Sequence, residues 1–147
     1  VQGDGTLDVF KGDGSVFPGA WPVTWSIQHR MGESAPVVGD VNGDGTPEIA
    51  VTSQIAGSSV NGELRIYRTD GTLFFMLPMP IGGGAVPAIA DVDFDGQNEV
   101  AVTGSYWDGY SGLKDKVWVF ECGGGTQIEW GQFGGNEFHD GRYPATR

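Results

Sequence analysis

The sequence predicts an all-β chain assembled from repeated four-stranded antiparallel sheets. Three observations carry this. Glycine (26 residues) and proline (eight) punctuate the chain too often to leave room for long helices. The short runs between them are rich in Val, Ile, Phe, Tyr and Trp, which fit a pleated, half-buried surface. Residues 36–52, PVVGDVNGDGTPEIAVT, return 51 residues later at 87–103 as PAIADVDFDGQNEVAVT, with nine of 17 positions identical and no gap.

The repeat fixes the order of elements. Strand one is expected at residues 35–39, followed by an acidic loop, and strand two at 48–53. Strand three is expected at 64–68 and strand four at 72–77. The segment GELRIYRTDGTLF at 62–74 has counterparts in GTLDVFKGDGSVF at 5–17 and KVWVFECGGGT at 116–126. Asp13-Gly14 and Asp70-Gly71 mark hairpin turns, because glycine supplies the positive φ that such turns need. Four short antiparallel strands in about 40–50 residues is the period of a β-propeller blade. The chain then divides into the last strands of a partial blade with a connector (1–34), two full blades (35–84 and 85–133) and a closing tail (134–147). About two and a half blades leave a ring open, since closure takes roughly 4–8. The chain is therefore expected to be a C-terminal section of a longer protein, or one subunit of a ring completed by other chains.

Each acidic loop places oxygen-bearing side chains at alternate positions: Asp40, Asn42, Asp44, Thr46 and Glu48 in one, Asp91, Asp93, Asp95, Gln97 and Glu99 in the other. Alternate side chains in a tight loop converge on one centre, and hard oxygen ligands at that spacing suit Ca²⁺, which takes about 6–8 oxygens. Thr46 and Gln97 are expected to contribute backbone carbonyls, while Gly45 and Gly96 allow the sharp turn. An EF-hand is excluded: its twelfth position requires a bidentate glutamate, and here that position is Val51 or Val102, inside a strand-like run. Two calcium ions would bring the formal charge from −11 to −7. Lying between the first two strands of each blade, they would act as structural staples. Residues 2–8, QGDGTLD, echo the loop more faintly and align better as the start of a strand, so no third site is expected.

The segments GDVNGDGTPEIAV and ADVDFDGQNEVAV resemble the FG-GAP/VCBS repeats of integrin-α-type β-propellers, and the resemblance extends over nearly the whole chain. It implies calcium at the ten loop positions named above, a seven- or eight-bladed ring and an extracellular or cell-surface location. Family loops often end in Asp where this chain has Glu48 and Glu99. The segment from Trp130, WGQFGGNEFHDGRY, is similar to the tail that closes such repeats in secreted microbial proteins.

The acidic balance, 19 Asp and Glu against eight Lys and Arg, argues against a nucleic-acid partner or attraction to an anionic membrane. The most apolar stretch, residues 73–81, is too short to cross a bilayer, which takes about 20 residues. Neither His29 nor His139 stands in a triad or metal motif, and His139 is expected to pack among Phe133, Phe138 and Tyr143. Cys122 reads as a small buried residue beside strand three. One loop departs from the repeat: residues 104–115, GSYWDGYSGLKD, concentrate Tyr106, Trp107, Asp108 and Tyr110. Such amphipathic aromatics beside an acceptor suit a sugar ring; alternatively, Trp107 packs against a neighbouring blade or subunit.

These features lead to a calcium-stabilised extracellular binding or adhesion module with a carbohydrate or protein ligand and no catalysis in this chain. Two readings stand beside it: the propeller portion of a secreted polysaccharide-degrading enzyme, and a structural subunit of a surface or filament assembly.

Overall fold

The computed structural model describes residues 6–24, 29–30, 34–55, 61–81, 85–107, 109–136, 138–139 and 141, with the backbone alone at 29–30. Among these residues every regular element is a strand and every pairing is antiparallel.

The central sheet follows chain order: β4 (Val37–Gly39), β5 (Glu48–Ile55), β6 (Gly62–Arg68) and β7 (Leu73–Met79). This is the predicted four-stranded unit. Strands two and three run longer than the sequence suggested, because β5 and β6 stay in register from Glu48↔Arg68 to Gln54↔Gly62. Pro78 falls in β7, which among the described residues is an edge strand, the place in a sheet where proline is tolerated.

The second sheet is β8 (Ala88–Ala90), β9 (Glu99–Trp107) and β10 (Leu113–Glu121). Here the structure departs from the expected second four-stranded blade, since this sheet has three strands among the described residues. The chain beyond β10 turns inward instead. β11 (Ile128–Trp130) pairs with β4, on the side away from β5. The reason lies in backbone donors left on the inner strands. Asp40 N–H donates to Gln127 O at 2.8 Å, and Ile89 N–H donates to Gly131 O at 2.7 Å, so one segment serves both sheets.

At the N-terminal end, β1 (Thr6–Leu7) pairs with β2 (Val23–Thr24). Between them a hairpin turns at Asp13-Gly14, with Phe10 bridged to Val16 and Phe17 N–H donating to Val9 O at 2.8 Å. The turn is built like the one at Asp70-Gly71. In each, Asp Oδ1 accepts from the backbone N–H and hydroxyl two residues on (Ser15 or Thr72), and the glycine has φ near 83–84°. Those bonds hold the Asp13 and Asp70 carboxyls below their ordinary pKa. β3 (His29–Arg30) pairs with the far end of β5.

The three units stack face to face. Leu7, Trp21, Ile49, Val51 and Tyr67 form a core between the N-terminal hairpin and one face of the central sheet. Leu64, Ile66, Ala50, Val100 and Val102 belong to a larger core between its other face and the second sheet. Phe75 and Phe120 meet at that boundary, their ring centroids 6.4 Å apart. Burying one such aliphatic or aromatic side chain stabilises by about 1.5–3 kcal/mol, so these two faces, rather than the short strand pairings, hold the units in order.

Candidate metal site

Both acidic loops join an inner strand to a long second strand, β4 to β5 and β8 to β9, and they fold alike. In each, the first carboxylate accepts from the sixth residue's N–H: Gly45 N to Asp40 Oδ2 and Gly96 N to Asp91 Oδ2, both at 3.0 Å. The ninth residue reaches back to the second, Val41 N donating to Glu48 Oε2 at 3.2 Å and Val92 N to Glu99 Oε2 at 2.8 Å. The fifth residue's carboxylate accepts from the seventh, Thr46 N and Gln97 N, each at 2.8 Å. The sixth position has φ of 81° at Gly45 and 90° at Gly96, the left-handed region where a Cβ is costly.

The loops differ at their third and fourth positions. In the first loop Asn42 Nδ2 donates to Glu48 Oε1 at 2.8 Å and to Asp44 Oδ2 at 3.2 Å, so a neutral amide bridges the carboxylates. Asp40 also accepts from Gly43 N at 2.7 Å. In the second loop the third position is Asp93, which brings a further negative charge and no donor. Candidate ligand oxygens of Asp91, Asp93 and Glu99 lie within 4.8 Å of one another. Glu99 is only 2% exposed, yet its Oε1, like Asp91 Oδ1, is buried with no hydrogen-bond partner. Leaving buried carboxylate oxygens unpaired is expensive. The arrangement has the chemistry of a hard-cation site: anionic oxygens converging, two of them unpartnered. The fourth position is Gly43 in the first loop, at φ 79°, and Phe94 in the second, held at φ 65° with its ring in solvent.

Burial also marks the first loop. Glu48 is 1% exposed, and its pKa is raised chiefly by burial, with the charges of Asp44 and Asp40 adding to it; the Val41 N–H and the Arg68 charge oppose the shift.

Sequence reasoning missed what joins the loops. Asn98 stands where the first loop has Pro47, and it is buried. Its Nδ2 donates to Asp40 O at 3.0 Å and Gln127 O at 3.1 Å, and its backbone N–H donates to Gly125 O at 2.6 Å. The glycine run 123–125 passes between the loops with no room for side chains: a Cβ on Gly123 would approach the Asn42 backbone, one on Gly124 would overlap Gln97, and one on Gly125 would overlap Asp40. The sequence signals were the run of three glycines and the departure from the repeat at position 98. Cys122, at the head of this strap, is half-buried. Burial raises its thiol pKa, and Glu48 and Glu99 push the same way, so it is a poor nucleophile.

The remaining predicted residues lie elsewhere. Tyr106 and Trp107 end β9, and Tyr110 follows in the β9–β10 turn; Trp107 and Tyr110 are exposed, and Lys116 Nζ sits 5.0 Å from the Tyr106 ring centroid. Asp108 lies outside the described residues, as does Tyr143. His139 packs edge-on against Phe133, centroids 6.1 Å apart. Beside it, Ala35, Pro36, Val38, Glu129, Trp130 and Phe133 line an open cleft of about 870 Å³.

No curated protein and no solved structure matches the chain. Residues 33–67 match the family model of the FG-GAP repeat, a β-propeller blade unit. That match covers β4, the first acidic loop, β5 and most of β6, and residues 87–103 repeat its loop and second strand. The all-β chain therefore contains an FG-GAP repeat at residues 33–67, set as one blade in a partial propeller.

Proposed function

We propose that this chain is a section of an extracellular, calcium-stapled propeller that serves as a binding or adhesion module. The observation that supports the calcium is the pair of unpartnered buried oxygens, Asp91 Oδ1 and Glu99 Oε1, inside a converging acidic loop. Ca²⁺ at Asp91, Asp93, Asp95, Glu99 and the Gln97 carbonyl gives those oxygens a partner. At the first loop, Asp40, Asn42, Asp44, Glu48 and the Thr46 carbonyl form the equivalent set, with the Asn42 carboxamide turned so that Oδ1 faces the ion. The second loop, with four carboxylates against three, is the tighter site. EDTA should lower the melting temperature and Ca²⁺ should restore it. Calorimetric titration of the chelated protein should resolve two sites, and Asp93→Asn should weaken the stronger one. An unchanged melting temperature on chelation would remove calcium from the reading.

The ligand surface we assign to the end of the β9–β10 hairpin, where the Trp107 and Tyr110 side chains are exposed. A carbohydrate is the class these rings suit. On a glycan array Trp107→Ala should lose the wild-type signals; identical patterns would exclude this surface.

A further inference from the structure

The two acidic loops differ in how far their own hydrogen bonds close them. In the first, every carboxylate oxygen of Asp40 and Glu48 has a partner: Asp40 accepts from Gly43 N and Gly45 N, and Glu48 accepts from Val41 N and Asn42 Nδ2. Asn42 Nδ2 also donates to Asp44 Oδ2, so this amide latches the loop across its carboxylates. In the second, Asp91 and Glu99 occupy the same positions, and each keeps one buried oxygen without a partner. A cation entering the second loop displaces no donor from those two oxygens. One entering the first must displace the Asn42 amide from Glu48 and Asp44.

The loops are also joined at the residues that fill them. Asn98, 3% exposed, stands between Gln97 and Glu99, both assigned to the second site. Its Nδ2 donates to Asp40 O at 3.0 Å, and Asp40 opens the first loop. The Asp40 N–H donates to Gln127 O, which accepts from Asn98 Nδ2 as well. Asp40 is thus held at both backbone groups, directly or at one remove, by a side chain of the second loop. The glycine strap lies against both loops: a Cβ on Gly43 would come within 2.6 Å of Gly124 O, while one on Gly124 would overlap Gln97. At this packing density neither loop shifts its backbone here without moving the strap.

We propose that the second loop fills first and that its filling raises the calcium affinity of the first, with Asn98 as the coupling residue. Holding the Gln97 carbonyl and the Glu99 carboxylate on an ion fixes the residue between them. Asn98 then fixes the Asp40 backbone, so the first loop loses less freedom when it exchanges its Asn42 latch for an ion. Linkage makes the effect reciprocal: the first site strengthens the second by the same factor. The proposal rests on the calcium reading of the proposed function and goes beyond it to the dependence of one site on the other.

Amide NMR of the chelated full chain, titrated with Ca²⁺, tests it, because Gly45 and Gly96 report the two loops separately. In the wild type the Gly96 amide should respond at lower Ca²⁺ than the Gly45 amide. Asp91→Asn combined with Asp93→Asn should empty the second loop. Removing two of its four carboxylates leaves it with the formal charge of the native loop carrying Ca²⁺, so long-range charge is matched. In that variant the Gly45 midpoint should rise about five-fold or more, the low end of measured couplings. Asn98→Ala should raise the Gly45 midpoint as well, and adding the Asp91 and Asp93 changes to it should give no further rise. The emptied-loop variant keeps Asn98, so it decides the coupling even where Asn98→Ala is too unstable to titrate. A Gly45 midpoint unchanged by emptying the second loop overturns the proposal and leaves the calcium reading standing. A rise of the same size in the Asn98→Ala background overturns it too, since the coupling then runs through other residues. Glycine amides that do not respond to Ca²⁺ at all overturn both.

Discussion

Single residues decide how each acidic loop balances its charge. Asn42 and Asp93 are the same position in two copies, yet one donates a bridging amide to its neighbours and the other adds a carboxylate. Phe94, where the first copy has Gly43, holds a left-handed φ that costs a non-glycine residue about 1–2 kcal/mol. The loop hydrogen bonds are strong enough to impose it. Glu129 shows the same economy outside the loops. Burial raises its pKa above the ordinary 4.5, the nearby Asp40 charge adds to this, and its Oε2 has no partner. A carboxyl whose folded pKa is raised favours the native state most when protonated. Its contribution is fully present below 4.5 and is lost as pH rises through the higher folded value. Glu129→Gln should therefore be more stable than the wild type at pH 7, with the gap closing in acid below that value. Urea denaturation at the two pH values checks this, and equal stabilities at pH 7 would count against the buried-carboxylate account.

Among the elements, the strap from Cys122 to Gln127 matters most to the site. It carries no regular structure, yet it binds the two loops into one body through Asn98, Gly125 and the Gln127 carbonyl. Asn98→Ala would leave the buried Asp40 carbonyl without this donor, at about 1–3 kcal/mol, and would take one of two donors from the Gln127 carbonyl. Equilibrium unfolding should show that loss, and calcium titration should show both sites weakened, because the Asp40 backbone is one anchor. A variant as stable as the wild type would mean the loops are tied by other contacts. The strap also explains why the second sheet has three strands among the described residues. The chain that would have formed a fourth strand on β10 is drawn inward, where β11 pairs with β4 and Gly131 serves the Ile89 N–H.

At the scale of the whole molecule, the described residues form three stacked sheet-like layers with two buried boundaries between them. The repeat made the central blade legible in detail. The strands around Glu48–Ile55 and Gly62–Arg68, the Asp13-Gly14 and Asp70-Gly71 turns and the positions of both loops all follow from alternation and turn chemistry within a few residues of chain. Local signals of this kind act over one hairpin. The destination of β11, the role of Asn98 and the passage of the glycine run between the loops join residues as far apart as Val38 and Trp130, 92 positions, and no short pattern encodes such pairings. The same holds for which apolar strand faces are covered: Leu64 and Val117 look alike in sequence, and only stacking buries one and exposes the other. The sequence by itself determined the blade, its turns and the oxygen set of each loop, because those depend on side-chain period and backbone freedom. Tertiary structure alone decided that the two loops share a strap and that the second sheet has three strands among the described residues, because those outcomes depend on which distant backbone donors and apolar faces find partners.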